Sequence, residues 1–313
     1  MGRKSSGPKL AIIIPTKDRP DDICRMLASI ADQTLLPTQV IVVDSTLESI
    51  EEHLRQFEHL NLTYQHFSPP SASRQRNAGI SLLDEDIELV AFMDDDIVLE
   101  PVALQQIHQF WATPENDDVA GVALNVNDSG HPGVGWLKGS SLASWIGLYP
   151  EGEGQVAPSG WAFAHQHVDR NVYVEWLSSC AVVWKRDVLN YHQFEEFFDG
   201  YSYLEDLDFS YGVSRGSRLA IAADARYEHL HSQAGRTGMY KFGRIEIRNR
   251  LYFVKKHGLS LSRCCLAILV RMMLTLMEGI RNFQWSSFQR LGGNINGLVY
   301  SFASIHQWPS GSK

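Results

Sequence analysis

The sequence predicts an α/β fold with a mixed, mainly parallel sheet flanked by helices and followed by a helical C-terminal extension. Short apolar runs in the first two thirds of the chain alternate with stretches whose apolar residues recur at helical spacing. Strands that alternate with helices are typical of a parallel sheet with right-handed crossovers. After residue 238 the chain becomes basic and its apolar pattern helical, so we expect helices in the C-terminal region.

The first hundred residues supply most of the predicted sheet. Strands are predicted at 10–14, 39–43, 62–65 and 89–93, and helices at 47–57, at 73–83 and from residue 21 onward. Beyond them, strands are predicted at 175–184 and 219–222, and helices at 203–215, 241–256, 261–277 and from residue 185 onward. Because the carboxyl ends of parallel strands meet at one sheet edge, where α/β proteins bind ligands, we expect Thr16, Asp44 and Asp94 to share that edge.

The composition is that of a globular protein, with 313 residues of which 44% are hydrophobic. Residues 1–9 are polar and the apolar run after them is too short for a secretory signal, while the four cysteines match neither zinc-ligand spacing nor a disulfide framework. We therefore expect a cytoplasmic protein. The net charge is −8, yet twelve lysines and arginines against two acids follow residue 233. This basic region suits an anionic membrane surface or a phosphate-bearing partner, whereas the acidic total and the lack of a nucleic-acid motif argue against nucleic acid.

Three consecutive carboxylates, Asp94, Asp95 and Asp96, follow the apolar run 89–93. Like charges at the end of a buried strand repel one another unless a cation or solvent relieves them. We interpret the cluster as a site for Mg²⁺ or Mn²⁺, and a solvated acidic turn is the alternative. No glycine-rich phosphate loop occurs in the sequence, so a metal on these aspartates, helped by Arg74 or Arg76, would handle a phosphate through charge.

A second acidic centre lies in the segment 201–216, YSYLEDLDFSYGVSRG. Ser202 and Glu205 have the spacing of a capping box, and Gly216 is a typical helix terminator. Asp206 then falls in the first helical turn, where the helix dipole is expected to lower its pKa and to keep it ionised as a proton acceptor. An acidic first turn without any chemistry is the alternative.

Two histidines and an arginine follow the last predicted strand. His229 and His231 alternate, so in an extended segment both face one side, and neutral imidazoles bind divalent metals. Surface polar groups are the alternative interpretation of both. The segment 233–238 is expected to order over a bound donor, with Arg236 on its diphosphate. The irregular segment 125–157 is expected to help build the acceptor side of the site.

Four segments, IIIPTKDRP, VIVVDS, RQRNAGI and VAFMDDDIVLEP, occur in this order between residues 12 and 101. This combination resembles the nucleotide-binding half of family 2 glycosyltransferases, which have the GT-A fold, and the resemblance extends over about residues 9–235. It implies a nucleoside site at Pro15, Thr16, Arg19 and Asp44, with Arg76 and Asn77 near the diphosphate or nucleoside. It also matches the D-x-D pair to Asp94 and Asp96, with Asp95 facing the donor sugar, and the "ED" pair to Glu205 and Asp206, with Asp206 as general base and Glu205 as cap or acceptor contact.

The resemblance divides the chain into a flexible N-terminus (1–8), a nucleotide-sugar-binding half (9–125), an acceptor-binding half (126–235) and a basic helical region (236–313). It implies an inverting, metal-dependent transfer of a hexosyl or deoxyhexosyl group from a nucleotide sugar, with UDP- or dTDP-sugars expected, to a saccharide or lipid-linked glycan. The metal ligands are expected from Asp94, Asp96, His229 and His231. Peripheral membrane contact through 240–290, packing of these helices on the catalytic domain and a homo-oligomer all stay open, as does a role in polysaccharide biosynthesis.

Two other functions also fit the sequence. A nucleotidyltransferase likewise uses acidic residues and metal at a sheet edge, but it would release pyrophosphate from a nucleoside triphosphate. A non-catalytic protein that binds sugar nucleotides or glycans would bind without turnover, and Asp206 would then be dispensable.

Overall fold

The computed structural model describes residues 7–127, 143–144, 147, 149–165, 167–232 and 237–310. Contacts divide the chain into two compact units, the first formed by residues 1–131 and 164–235 and the second by residues 132–163 and 236–313. The described residues between 143 and 163, which the sequence predicts in the acceptor-binding half, group with the C-terminal helices. The functional division of the chain at residues 125 and 235 stays a prediction.

The first unit is built on one mixed sheet. Its strands are β1 (Leu10–Thr16), β2 (Gln39–Asp44), β3 (Leu62–His66), β4 (Leu89–Met93), β5 (Ile97–Leu99), β6 (Val119–Val126), β7 (Val172–Val174), β8 (Ala181–Lys185) and β9 (Arg218–His229). Their order is β3-β2-β1-β4-β8-β6-β9-β5, and β7 pairs with β9. The neighbours from β3 to β4 run parallel, while β8 runs antiparallel to both β4 and β6. The predicted fold class is confirmed.

The helices of the first unit cover both faces of this sheet. They are α1 (Pro20–Ala31), α2 (Glu51–Leu54), α3 (Ala72–Ile80), α4 (Ala103–Ala112) and α5 (Glu205–Ser214), with short 3₁₀ helices at Arg55–Leu60, Pro114–Asn116 and Arg186–Asn190. Alternate residues of β1 serve the two faces, because Ile12 and Ile14 pack in one apolar cluster and Ile13 packs in the other. Both clusters are buried, which explains why the central strands β1 and β4 and the middle of β2 are apolar, whereas the edge strand β3 is half-buried and more polar.

A glycine fixes the distance between α3 and β1. A Cβ atom at Gly79 would lie 2.4 Å from Cγ2 of Ile13, closer than two carbon atoms can pack. The helix therefore approaches the strand only because residue 79 has no side chain. This close approach brings Arg76, one turn earlier in the same helix, to the carboxyl end of the sheet.

Several predicted elements differ from the observed ones. The predicted strand 175–184 is strand only over β8, and the helix predicted from residue 185 is a 3₁₀ helix. The capping box was wrong, because Leu204 is the N-cap of α5 and no side chain caps the helix. Leu204 has a φ of 78°, and Ser202 Oγ instead donates to the carbonyl oxygen of Gly200. The left-handed conformation at residue 204 turns the chain so that Ser202 points away from the helix start.

The second unit contains three long helices, α6 (Met239–Lys256), α7 (Leu261–Asn282) and α8 (Trp285–Ser304). Helix α7 extends beyond the predicted end at residue 277, and α8 was not predicted. Helices α6 and α8 pack at very short range, since a Cβ at Gly293 would lie 2.0 Å from the carbonyl oxygen of Tyr240. Within the part of the chain that the structure describes, no helix is long and apolar enough to cross a membrane.

Candidate active site

The three aspartates after β4 have three different environments. Asp95 is buried, where it accepts a hydrogen bond of 2.6 Å from Thr16 Oγ1 and one of 2.7 Å from Arg19 Nη1. The strand register explains the first contact. Ile13 of β1 pairs with Phe92 of the parallel strand β4, and Thr16 and Asp95 each follow three residues later. Burial raises the pKa of Asp95 to about 6 although Arg19 and Thr16 favour its charged form. Asp95 therefore serves to tie the end of β4 to the turn after β1.

Asp96 forms a hydrogen-bonded pair with His229. The Nε2 atom of His229 lies 3.2 Å from Asp96 Oδ1, the backbone N–H of Ser232 donates to Oδ2 at 3.0 Å, and Arg19 Nη1 is 3.5 Å away. Strand β5 brings the two together, because Ile97 pairs directly with His229 of β9. Burial opposes ionisation of Asp96, but the hydrogen bond and charge of His229 outweigh it and lower the pKa of the aspartate. Burial likewise opposes the charged form of His229, but Asp96 raises the pKa of the imidazole.

Asp94 faces a different partner, Arg76 of α3. Arg76 Nη2 donates to Asp94 Oδ1 at 3.1 Å, and Nη1 of the same guanidinium donates to Glu205 Oε1 at 2.8 Å. The guanidinium is buried, and it packs over the ring of Phe194 with 5.3 Å between Cζ and the ring centroid. One arginine thus joins the acidic end of β4 to the first turn of α5.

Glu205 and Asp206 both lie next to this arginine. Burial and the negative charge of Asp206 raise the pKa of Glu205 to about 8, although Arg76 lowers it. Burial also raises the pKa of Asp206, against the hydrogen bond of 2.7 Å that its Oδ1 accepts from the N–H of Leu207. The expectation that the helix dipole lowers the pKa of Asp206 was therefore wrong, because loss of hydration outweighs the dipole in this setting. Glu205 and Asp206, beside the same guanidinium, therefore hold protons more tightly than isolated carboxylates do.

The predicted nucleoside residues lie at the ends of β1 and β2, where Thr16 pairs with Asp44 across the two strands. Asp44 is fully buried: its Oδ1 accepts from the N–H and the hydroxyl of Thr46 at 2.8 and 2.5 Å, and its Oδ2 accepts from Tyr64 at 2.9 Å. It does not cap the following helix, whose N-cap is Ile50. Pro15 precedes Thr16 in β1, and Arg19 reaches the aspartates from the start of α1.

Asn77 is engaged with the protein backbone. Its side-chain amide donates to the carbonyl oxygen of Phe194 at 2.8 Å, and its Oδ1 accepts from the N–H of Phe194 at 3.0 Å. Asn77 thereby holds the aromatic ring that supports Arg76. Its predicted contact with the donor stays a prediction, and the predicted diphosphate contact of Arg236 lies outside the described residues.

The residues predicted to bind metal are of the correct chemical type, but Asp96 and His229 pair with each other and Asp94 pairs with Arg76. Among the residues that the structure describes, no group of three or more His, Cys, Asp and Glu side chains is arranged around a common metal position. Asp96 and His229 are in direct contact, and the ring of His231 lies 4.2 Å from that of His229, centroid to centroid. Carboxylate oxygen and imidazole nitrogen are ligands that Mg²⁺ and Mn²⁺ accept, so the donor set fits such an ion in composition.

Two residues of the site were not predicted from the sequence. Gln75 is buried, and its Nε2 donates to the carbonyl oxygens of Thr16 at 2.9 Å and Val43 at 2.8 Å, which fixes the ends of β1 and β2 side by side. Ser178, in the loop before β8, lies near Asp206 and favours the charged form of that carboxylate. The glutamine directly before Arg76 is a sequence feature that could have predicted this role, because buried polar side chains usually form hydrogen bonds with backbone groups.

Comparisons with known proteins agree with this geometry. Residues 11–141 match the model of the family described as "Glycosyl transferase family 2". The crystal structure of S. aureus TarS 1–349 in complex with UDP superposes with a TM-score of 0.53 and 16% identity over 96% of this chain and 91% of that chain. The crystal structure of GalNAc-T7 with UDP, GalNAc and Mn²⁺ superposes with a TM-score of 0.54 and 10% identity over 81% of this chain and 51% of that chain. A comparison with curated protein sequences gave no match.

This chain matches only part of the length of one of these neighbours. This chain spans 42% of the longer crystallised S. aureus TarS chain, with a TM-score of 0.51 and 17% identity over 79% of this chain. The neighbours show that the sheet and its helices form a GT-A fold. The family match confirms the resemblance that the four ordered motifs indicated.

Proposed function

We propose, from the match of residues 11–141 to glycosyl transferase family 2, that this protein is an inverting glycosyltransferase. It moves a sugar from a nucleotide-sugar donor to a hydroxyl group of a saccharide or lipid-linked glycan. The contact of Arg76 with both Asp94 and Glu205 carries the proposal, because it joins the acidic strand end to the helix that bears Asp206. A donor site and a proton acceptor at one sheet edge are what a direct displacement at a sugar carbon needs.

The donor is proposed to be a UDP- or dTDP-sugar bound at the ends of β1 and β2. Asp44 is held rigidly by Thr46 and Tyr64, so its position is set before a ligand arrives. Gln75 fixes the two strand ends between which a nucleoside would lie. Support for a uridine nucleotide comes from the neighbours, since S. aureus TarS 1–349 was crystallised with UDP and with UDP-GlcNAc.

A divalent cation, Mg²⁺ or Mn²⁺, is proposed to be held by Asp96 and His229, with Asp94 and His231 beside them. When bound, such an ion stabilises negative charge on a diphosphate leaving group. Asp96 is suited to ligation because its pKa is lowered and it stays charged at neutral pH. Arg19 lies beside the same carboxylate and offers a further cation to the phosphates.

Asp206 is proposed as the general base. The acceptor oxygen attacks the anomeric carbon from the face opposite the nucleoside diphosphate, and its proton passes to a carboxylate oxygen of Asp206. The new glycosidic bond forms as the bond to the diphosphate breaks, so the anomeric configuration inverts. The raised pKa of Asp206 favours this role, because a base accepts a proton best when its pKa lies closer to the working pH.

Replacing Asp206 by asparagine tests the assignment of the base. We expect Asp206→Asn to lower kcat by about 100-fold or more, since the acceptor proton then has no carboxylate to receive it. Transfer is measured as release of nucleoside diphosphate from a nucleotide sugar in the presence of acceptor, and thermal stabilisation by the nucleotide reports on intact binding. Asp224→Asn, at an exposed position of β9, is the control and should keep full activity. Full transfer activity of the Asp206→Asn protein would refute the assignment.

A further inference from the structure

Helix α7 of the second unit carries an apolar stripe on its exposed side. The stripe consists of Leu266, Leu269, Met273, Leu276, Met277 and Ile280, each of which is exposed in the structure. Their spacing of three and four residues places them within about 100° of the helix circumference. Leu269, Met273 and Met277 are 59%, 54% and 58% exposed, so the residues that the structure describes leave the stripe uncovered.

Aromatic side chains continue the stripe past the end of the helix. Phe283, in the turn after α7, is 93% exposed, and Trp285, at the start of α8, is 72% exposed. Large apolar side chains are seldom grouped in this way on a protein surface that faces only water. Tryptophan and phenylalanine are favoured where an apolar phase meets water, because each places a broad ring at the boundary.

Arginines flank the stripe at both ends. Arg263 and Arg281 are both exposed. They lie 18 residues, or five helical turns, apart, so they share one side of the helix. That side lies about 40° around the helix from the edge of the stripe. The acidic residue of this helix, Glu278, lies about 60° beyond the two arginines around the helix axis, on the side away from the stripe. The border of the apolar surface is therefore basic, in a region with twelve lysines and arginines against two acids after residue 233.

We propose that the α7 stripe binds the surface of a membrane that contains anionic lipids, with the helix lying in the plane of the interface. The stripe from Leu266 to Ile280 spans about 21 Å, which is too short to cross the bilayer core of about 30 Å but fits a helix lying on it. Arg263 and Arg281 then contact lipid phosphates while the leucines and methionines enter the acyl boundary. The proposal concerns attachment alone and does not depend on the proposed catalytic activity.

A second copy of this chain is a poorer occupant of the stripe. If two α7 helices paired through their stripes in antiparallel fashion, Arg263 of one would lie near Arg281 of the other. In a parallel pair the two copies of each arginine would lie at the same end of the contact. Both arrangements bring like charges together at both ends of the contact, and neither brings Glu278 to the arginines.

Vesicle binding by the full chain tests this proposal. We expect the protein to sediment with vesicles of phosphatidylcholine and phosphatidylglycerol, and more weakly with phosphatidylcholine alone. The variant Leu269→Gln/Met273→Gln should lower binding at least about tenfold, because two side chains that enter the lipid become polar. The variant Arg263→Gln/Arg281→Gln should lower binding about tenfold to anionic vesicles only, and should reduce its sensitivity to salt.

The matched control removes two equally exposed apolar side chains elsewhere. Leu36 and Tyr191, in the first unit, are 50% and 86% exposed, and Leu36→Gln/Tyr191→Gln should bind vesicles as the wild type does. Unchanged melting temperatures show that the variants are folded, since every altered residue is exposed. The proposal is overturned if the wild type does not bind anionic vesicles, if the stripe variant binds as tightly as the wild type, or if the control loses as much. Concentration-dependent dimers that the stripe variant abolishes, without vesicle binding by the wild type, would make a second copy the occupant and would also overturn it.

Discussion

Arg76 is a buried cation between two carboxylates that belong to different elements, Asp94 after β4 and Glu205 at the start of α5. A buried guanidinium stays charged, so its removal leaves the largely buried Glu205 and the partly exposed Asp94 without this partner. Asn77 supports this residue indirectly by holding Phe194 beneath the guanidinium. The sequence predicted Arg76 as a phosphate contact, whereas in the structure it also organises the acidic residues around it.

Arg76→Met is expected to lower the free energy of unfolding by about 3–5 kcal/mol, because breaking a buried ion pair leaves its partners uncompensated. Urea denaturation at neutral pH measures the change. The control is Arg74→Met in the same helix, since Arg74 is only half-buried and pairs with the exposed Glu196. Its effect should stay below about 1 kcal/mol. Equal losses in the two variants would contradict the role given to Arg76.

The pH dependence of stability should depend on Glu205. Its pKa in the folded protein is about 8, against an ordinary value of 4.5, so its contribution to stability is complete below 4.5 and is lost as the pH rises to 8. The wild type should therefore lose unfolding free energy between pH 5 and pH 8, and Glu205→Gln should lose less over the same range. The exposed Glu196→Gln serves as control and should follow the wild type. A parallel pH profile for Glu205→Gln would show that this carboxylate is ionised throughout.

The two histidines should differ in their effect on metal dependence. His229 contacts Asp96 directly, whereas His231 is more exposed and contacts the ring of His229. We expect His229→Asn to raise the Mn²⁺ concentration for half-maximal activity about tenfold or more, and His231→Asn to raise it less. A larger effect of His231→Asn would transfer the main ligand role to that residue.

At the scale of elements, helix α3 positions the site through its contact with β1. Gly79 allows the helix to approach Ile13, and the same helix presents Gln75 to two strand ends and Arg76 to the carboxylates. Displacing this one helix would therefore disturb the predicted nucleoside side and the base side of the site together.

Gly79→Ala should lower the free energy of unfolding by about 1–3 kcal/mol, because the new methyl group forces α3 or Ile13 to move. It should also lower kcat, since Arg76 and Gln75 move with the helix. Gly216→Ala is the control, because a Cβ there would meet no atom within 4 Å. Thermal unfolding and transfer assays measure both effects, and unchanged activity in the Gly79→Ala protein would argue against positioning by α3.

The helices and strands that were correctly predicted are those marked by an uninterrupted pattern of neighbouring residues in the sequence. Strand β4 runs from Leu89 to Met93 as predicted. Five apolar residues are followed directly by three aspartates, and this change in polarity marks the end of the strand. The start of α5 was misassigned, because the spacing of Ser202 and Glu205 cannot show that Leu204 adopts a left-handed conformation. The strand predicted at 175–184 begins only at Ala181, since apolar residues in a buried loop resemble those of a strand.

The site as a whole was predictable in its members but not in its pairings. The sequence indicated Asp94, Asp96, His229 and Asp206, yet it could not show that Asp96 pairs with His229 or that Arg76 joins Asp94 to Glu205. Such pairings depend on strand register between distant segments, for example the pairing of Ile97 with His229. The pKa of Asp206 was predicted in the wrong direction because its burial comes from residues far away in the sequence.

At the scale of the whole molecule, charge is distributed unevenly along the chain. The acidic net charge of −8 contrasts with the strongly basic region after residue 233. Residues of the acidic part form the candidate active site, whereas the basic part bears the α7 stripe. A catalytic unit and a lipid-binding surface on one chain would suit an enzyme whose acceptor is anchored in a membrane.

The central claim is that this protein binds a nucleotide sugar with a divalent cation and transfers its sugar. The most direct measurement is a panel of UDP-, dTDP- and GDP-sugars, each tested with Mn²⁺, with Mg²⁺ and with a chelator for thermal stabilisation and for release of nucleoside diphosphate. We predict that one nucleotide class stabilises the protein only with a divalent cation, and that the same class is turned over. Absence of stabilisation by every nucleotide sugar, or release of pyrophosphate from a nucleoside triphosphate instead, would contradict the claim.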